Sequence, residues 1–415
     1  MNTLFIIIVA IILIEFIFDK VLDFLNLKNL SPELPAEAKD IYDEEKYRKS
    51  QEYYKVNHNF SMLTSAISLI AMLAMLLFHG FAYVDSFVRQ YTDNPILISL
   101  LFFGILGFAS DLLSTPFSIY KTFVIEEKFG FNKTTPKTFI LDKLKGYLLA
   151  LIIGGGLLAL IVWIYLSTGK YFWLIAWGVI SFFTIFITMF YTTFLVPIFN
   201  KLTPLPEGEL RSAIEAYCKK VGFKLNNLFV IDGSKRSAKA NAYFSGLGAK
   251  KTIVLYDTLI EKHSTEELVA VLAHEVGHYK KKHTLIGTLQ GIISSGVMLF
   301  ILSLFLGNPE LSRALGVDVN AVAFPQTTFH LEILVFGMLY SPISEILGII
   351  GNVFSRKHEF EADAYAKETY SGNALGTALK KLSADNLSNL KPHPAYVFVH
   401  YSHPPVLERL RALIL

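Results

Sequence analysis

His274 and His278 stand four residues apart in VLAHEVGHYKKKH, with Glu275 beside the first. On a helix, positions i and i+4 share a face, so both imidazoles can reach one metal ion. Catalytic zinc sites typically use three protein ligands and keep a fourth position open. The best candidate for the third ligand is Glu359 in HEFEAD, with Asp363 four residues on and on the same helical face. In that pairing Glu359 ligates and Asp363 hydrogen-bonds a ligand imidazole, as ligating histidines commonly require. His283, His358 and Glu361 compete for the third place. His283 lies off the motif face and is discounted; His358 and Glu361 point away if Glu359 points in. Zinc in such a site acidifies a water, and Glu275 takes its proton and later passes it to the leaving amine. The metal and a nearby donor then hold the oxyanion of the attacked peptide. His403 and Arg409 in SHPPVLERL are candidates for that donor.

The chain that must position these residues is 53% hydrophobic and 18% charged, where a soluble domain is nearer a quarter charged. Seven apolar segments emerge, at roughly 3–23, 61–84, 96–117, 147–168, 171–194, 286–306 and 328–350. Each is about 20 residues, enough to cross a hydrocarbon core as a helix. The first lacks the basic start and small-residue cleavage site of a signal peptide, so it counts as a crossing. The third contains Asp111, and the seventh contains Glu332 and Glu345. Carboxylates there either sit near the interfaces or face a polar cavity inside the bundle. Lys and Arg fall in alternate loops, which puts the N-terminus outside, the C-terminus in the cytoplasm and the His motif at the cytoplasmic side. A net charge of +3 gives no sign of a nucleic-acid partner. Cys218 is the single cysteine, which excludes an intrachain disulfide and a thiolate metal cluster, so any metal must use His and carboxylates.

Between the fifth and sixth segments, ELRSAIEAYCKKVGF reads as an amphipathic helix ended by Gly222. NNLFVIDG, SKRSAKANAYFSG and KTIVLYDTLI follow as pieces of a small antiparallel sheet, the last two joined by a turn at Gly246 and Gly248. EELVAVLAHEVGHYKKK is the motif helix, and SRKHEFEADAYAKETY is a second strong helix pattern. The expected organisation has crossings one to five with two cytoplasmic loops in 1–199 and a protease region with the motif helix in 200–285. Crossings six and seven follow in 286–350, and a C-terminal protease region carries the third ligand in 351–415. A sheet edge beside a catalytic helix suits a protease, because an extended peptide can add to the edge through backbone hydrogen bonds.

Further stretches carry a recognisable pattern: YKTFVIEEKFGFNKTT at 120–135, LVPIFNKLTPLP at 195–206, SKRSAKANAYFSG at 234–246, FSRKHEFEADAYA at 354–366 and YSHPPVLERL at 401–410. With the His motif they make nearly the whole chain similar to the integral-membrane CAAX prenyl endopeptidases, the Ste24 type of the M48 metalloproteases. The resemblance implies an all-α polytopic membrane protein. Its seven transmembrane helices would enclose a large water-filled chamber, with a small α+β zincin-like metalloprotease domain on the cytoplasmic side. It implies one zinc ion per chain held by His274, His278 and Glu359, with Glu275 as catalytic base. Asp363 would be the carboxylate behind the ligands, and Asn241 would hydrogen-bond the substrate backbone. His403 and Arg409 would stabilise the oxyanion or bind substrate.

The partners implied are a peptide or protein substrate carrying a prenylated C-terminal CaaX sequence, and membrane lipids. Eukaryotic members remove the last three residues of such substrates. RALIL at the C-terminus has no dilysine-type signal and there is no long lumenal insertion, so the expected location is a bacterial inner membrane rather than the endoplasmic reticulum. Two alternatives compete with this activity. One is a general membrane quality-control protease of the M48 group. The other is a transporter or lipid-binding protein with a structural zinc.

Overall fold

The computed structural model describes residues 2–31, 33–34, 39, 41–225, 227–246, 252–322 and 327–414. Its first half is a series of apolar helices: α1 (Thr3–Lys28), α2 (Glu44–Leu77), α3 (Gly80–Arg89), α4 (Pro95–Tyr120), α5 (Pro136–Leu149), α6 (Gly156–Thr168) and α7 (Phe172–Phe190). Asn2, Asp43, Asn94 and Thr135 cap four of them, each side chain accepting a backbone N–H from the first turn. Among the described residues, five helical runs are long and apolar enough to cross a membrane. They are Glu44–Leu77, Pro95–Glu126, Pro136–Phe199, His283–Phe305 and Phe329–Asp385. Their outward faces carry Ile70, Phe108, Leu151, Phe182, Ile293 and Ile346, all exposed. In water so much apolar surface would drive association; against lipid it is the expected coat.

Several span boundaries differ from those read in the sequence. The second run stops at Leu77, not 84, because His79 takes φ 54 and the chain restarts as α3. Two of the three carboxylates noted in the weak segments, Asp111 and Glu332, are partnered. Asp111 accepts from Lys143 Nζ at 2.7 Å, and also from Thr115 and Tyr147. Glu332 sits in the first turn of its helix, accepting from Thr328 Oγ1 at 2.7 Å and Gly307 N at 2.6 Å. Asp85 on α3 is buried and accepts from Arg89 Nε at 2.8 Å and His330 Nε2 at 2.7 Å, which ties α3 to the start of the last long helix.

The main elements that follow form a mixed α+β region together with the last two apolar runs. They are β1 (Leu202–Pro204), α8 (Glu209–Lys220), β2 (Asn227–Ile231), β3 (Ala242–Ser245), β4 (Thr252–Tyr256), α9 (Thr265–Lys280), α10 (His283–Phe305), α11 (Phe329–Ala366), α12 (Gly372–Asp385) and α13 (Val406–Ile414). The expected antiparallel sheet is mixed. Its order is β1-β2-β4-β3, with β2 and β4 parallel and the two outer pairings antiparallel. A parallel pair needs a crossover, and the segment holding β3 supplies it. Gly246 has φ 96, and Gly248 lies outside the described residues. β4 is buried on both faces: Ile253 and Leu255 pack with α8, α9 and α12, while Val254 packs with Val196 and Ile231. α11 runs unbroken through residue 350, so the last apolar run and the HEFEAD segment are one rod.

Cys218 belongs to this core, 2% exposed, and burial pushes its thiol up to about 11. The thiolate is the reactive form. The folded protein at pH 8 is therefore expected to resist alkylation by iodoacetamide, and the denatured chain to take one label. Fast labelling of the folded protein, read by mass spectrometry, would contradict the packing described.

Candidate active site

The motif helix is set by its own ends. Ser264 Oγ accepts from Glu267 N at 3.3 Å and Glu267 Oε2 accepts from Ser264 N at 3.1 Å, a capping box that starts α9. Lys381 on α12 reaches Glu267 Oε1 at 2.7 Å and pins that start. Leu268 through His274, with Val276 and Gly277, are buried, because α9 is enclosed by α8, α11, α12 and the sheet. Gly277 is where α9 and α11 touch. A Cβ there would lie 3.1 Å from Ala362 Cα and from Ala362 O, and 3.2 Å from Tyr365 Cβ. That approach brings Glu359 of α11 over the motif face. A G277V variant is expected to lose about 2 kcal/mol of stability by overpacking and to bind zinc more weakly, since separating the rods separates the ligands. Native zinc content and melting temperature in G277V would show that the contact does not set the site.

The two rods bring three donors together. His274 Nε2 is 3.1 Å from His278 Nε2, His278 Nε2 is 3.2 Å from Glu359 Oε1, and His274 Nε2 is 3.5 Å from Glu359 Oε2. Four ligands held tetrahedrally at zinc distances of about 2.0–2.1 Å stand about 3.3 Å apart. The observed separations bracket that value. Glu359 is buried and its Oε2 makes no hydrogen bond, only an ion pair with Arg409 Nη1 at 3.2 Å, so it keeps lone-pair capacity for a metal cation. His274, His278 and Glu359 thus form a site that fits one zinc ion per chain.

Behind the donors lies a second layer. With His274 Nε2 facing the metal position, its Nδ1–H donates to Asp363 Oδ1 at 2.8 Å. Arg409 clamps Asp363 with two bonds, Nε to Oδ2 at 2.8 Å and Nη2 to Oδ1 at 2.6 Å, and its Nη1 lies 3.2 Å from Glu359 Oε2. Burial opposes charge on His274, yet the Asp363 and Glu359 carboxylates outweigh it and hold the imidazole up to about 9. Zinc binding there takes the place of a proton.

The other expected residues are placed unevenly. His403 Nε2 comes within 3.4 Å of Glu359 Oε1 and its ring is largely exposed, open to a ligand. Arg409 is buried with its fork committed to carboxylates. Glu275 is half-buried on α9, next to His274. Asn241 is exposed and immediately precedes β3, an outer strand of the sheet; its side chain accepts from Ala242 N at 2.9 Å. Motif spacing did not reveal the Gly277–Ala362 approach. The lone glycine inside the motif was its only trace.

A polytopic helical membrane protein with a His-His-Glu zinc site of this geometry is a membrane-embedded zinc metallopeptidase. Residues 23–201 match the family described as CAAX prenyl protease N-terminal, five membrane helices, and residues 204–414 match peptidase family M48. The chain is 35% identical to the CAAX prenyl protease 1 homolog of Oryza sativa subsp. japonica over 97% of its length and 95% of the relative's. It is 36% identical to the homolog of Dictyostelium discoideum, over 98% and 95%. The crystal structure of S. mikatae Ste24p superposes with a TM-score of 0.95 at 33% identity, covering 100% of both chains. The chain belongs to the CAAX prenyl protease family of M48 zinc metalloproteases.

These relatives correct the expected bacterial inner-membrane location, because they are proteins of a plant, an amoeba and a yeast. The bacterial reading rested on a missing retention signal and a missing insertion, and missing segments are weaker than identity along the whole chain. What stands is a multi-pass membrane protein of this family.

Proposed function

We propose that this zinc metalloendopeptidase cleaves a peptide bond near the C-terminus of prenylated CaaX substrates, with Glu275 as general base. The observation that carries the reading is the convergence of His274, His278 and Glu359 in a chain that matches CAAX prenyl proteases over almost its full length. When bound, zinc supplies a water acidic enough to lose its proton at neutral pH and a positive charge for the developing oxyanion. Glu275 takes that proton and returns it to the leaving amine. The substrate runs along the outer edge of β3, where the strand's backbone groups pair with an extended peptide and Asn241 holds the peptide at the strand's start. His403 is exposed beside Glu359 and donates to the oxyanion. Arg409 acts one layer back, keeping Asp363 and Glu359 in place.

The proposal includes seven crossings around a polar chamber. Three observations support it. The Pro136–Phe199 run has 64 residues, and at 1.5 Å per residue it is far too long for one crossing of a core about 30 Å thick. It breaks at Gly169, φ 53, between α6 and α7. α1 is long and apolar but carries Glu15, whose carboxylate accepts from Ser341 Oγ at 2.7 Å on a neighbouring helix. Between α2 and α4, a cavity of about 310 Å³ has a mixed lining, with Asn57, Ser61, Thr64 and Ser114 set among apolar side chains such as Phe60 and Leu113. In this reading 1–199 holds five crossings and 286–350 two, while 200–285 and 351–415 supply the halves of the zinc site.

The test is cleavage of matched CaaX peptides, farnesylated and unmodified, by purified protein, with a chelator control and products read by mass spectrometry. Release of the last three residues from the farnesylated peptide alone is expected. Equal cutting of both, or cutting at scattered bonds, would replace prenyl-directed cleavage with a general membrane peptidase of the same chemistry.

A further inference from the structure

We propose that His283 and Glu361 are a positioning pair for the zinc ligand His278: Glu361 sets the tautomer of His283, and His283 accepts the Nδ1–H of His278 and holds that imidazole toward the metal. The proposal rests on the reading of His278 as a ligand.

The argument is an accounting of protons. His278 turns Nε2 toward His274 and Glu359, so a metal at that position takes the Nε2 lone pair. The ring's single proton is then on Nδ1. His278 Nδ1 lies 3.0 Å from His283 Nδ1. Two ring nitrogens at that distance bond only if one donates and the other accepts, so His283 Nδ1 must carry no proton. The proton of a neutral His283 is therefore on Nε2, and Nε2 lies 3.0 Å from Glu361 Oε2. A carboxylate only accepts, so Glu361 selects the tautomer that His278 requires. All three contacts agree with one assignment. His274 has Asp363 behind it; His278 has His283 and, behind that, Glu361.

The backbone explains why a histidine off the motif face arrives there. α9 ends at Lys280, and Lys282 takes φ 60 before α10 starts at His283. The left-handed residue breaks the helical phase, so the turn returns His283 to the His278 side. His358 stacks on the His283 ring at 4.0 Å between centroids and 10° between planes, which fixes the ring's plane. His283 is buried, whereas the Glu361 side chain is 38% exposed. Glu361 can thus be truncated with little effect on packing. Neither residue belongs to the donor cluster itself.

The experiment measures zinc affinity of the full-length protein by chelator competition, with the melting temperature of the zinc-free protein alongside. H283F keeps a ring against His358 and removes the acceptor; E361A removes the carboxylate. Each is expected to weaken zinc binding by about 10–100-fold, the range for partners behind a metal ligand, with the zinc-free melting temperature unchanged. The double variant should be no weaker than H283F, because the two act in series. H283N places an amide oxygen where Nδ1 stood and should recover most of the affinity. Native affinity in E361A or H283F, additive losses, or no recovery in H283N would overturn the pair. If H283F does not fold, E361A and H283N decide. H278A is the separate control: native zinc affinity in H278A would remove His278 from the ligand set and so defeat the site reading, not the pair alone.

Discussion

An E275Q variant is expected to fold, to bind one zinc per chain and to lose cleavage by a factor of about 10³–10⁴, the upper range for general acid–base catalysis. Glutamine has nearly the shape of glutamate and can accept a hydrogen bond, but it cannot take up a proton at neutral pH. Glu275 lies outside the donor cluster, so the three ligand atoms should stay where they are. The stabilising network also avoids it: Asp363 and Arg409 brace His274 and Glu359. Loss of turnover with retained zinc therefore separates a base from a ligand. The readings are zinc by atomic absorption and single-turnover cleavage of a farnesylated peptide. Native turnover in E275Q would remove Glu275 as the general base, whereas no zinc-dependent cleavage by the unaltered protein would favour a transporter or lipid-binding protein with a structural metal.

E359A should behave in the opposite way. It is expected to lose zinc during gel filtration and to bind it more than about 100-fold more weakly, beyond what a change behind the ligands costs. Two imidazoles remain, one short of the three protein ligands typical of catalytic zinc. A second cost is electrostatic. Arg409 is buried between Glu359 and Asp363, and removing one carboxylate leaves the guanidinium with one partner in a poorly solvated place. A lower melting temperature of the zinc-free protein should accompany the lost zinc. One zinc per chain retained in E359A would make another group the third ligand.

The two variants probe parts of the site that differed in how readable they were. His274 and His278 were legible because four residues on a helix return a side chain to the same face, a local rule that needs no tertiary knowledge. The same rule linked Glu359 to Asp363. It failed at His283. Extending the helical phase past Lys280 put that ring off the site, and a single left-handed residue, Lys282, put it back in hydrogen-bond contact with His278. Positive φ at lysine has no sequence signature comparable to glycine's, so where the turn sends His283 could not be read.

The sheet shows a similar division. The short β1 was not read as a strand, but three of its four strands were visible in LFVI, AYFS and TIVLY as short apolar runs bounded by turn residues. Their pairing was not, since β4 inserts between β2 and β3 and makes the sheet mixed. Strand order depends on which long-range contacts bury β4 on both faces.

By itself the sequence determined a polytopic helical chain and the two histidines of one metal face, and it offered Glu359 with Asp363 as the best of several candidates to complete the site. Composition and helical periodicity are local properties, and they suffice for that much. Only the tertiary structure decided how α9 and α11 meet, because contact at Gly277 and Ala362 is a matter of two surfaces fitting. It alone committed Arg409 to Asp363 and brought His403 beside Glu359 across a gap of 44 residues in the chain (403 minus 359). It also showed that the last apolar run and the third ligand share one unbroken helix, so the membrane-crossing rod itself carries Glu359 to the zinc site.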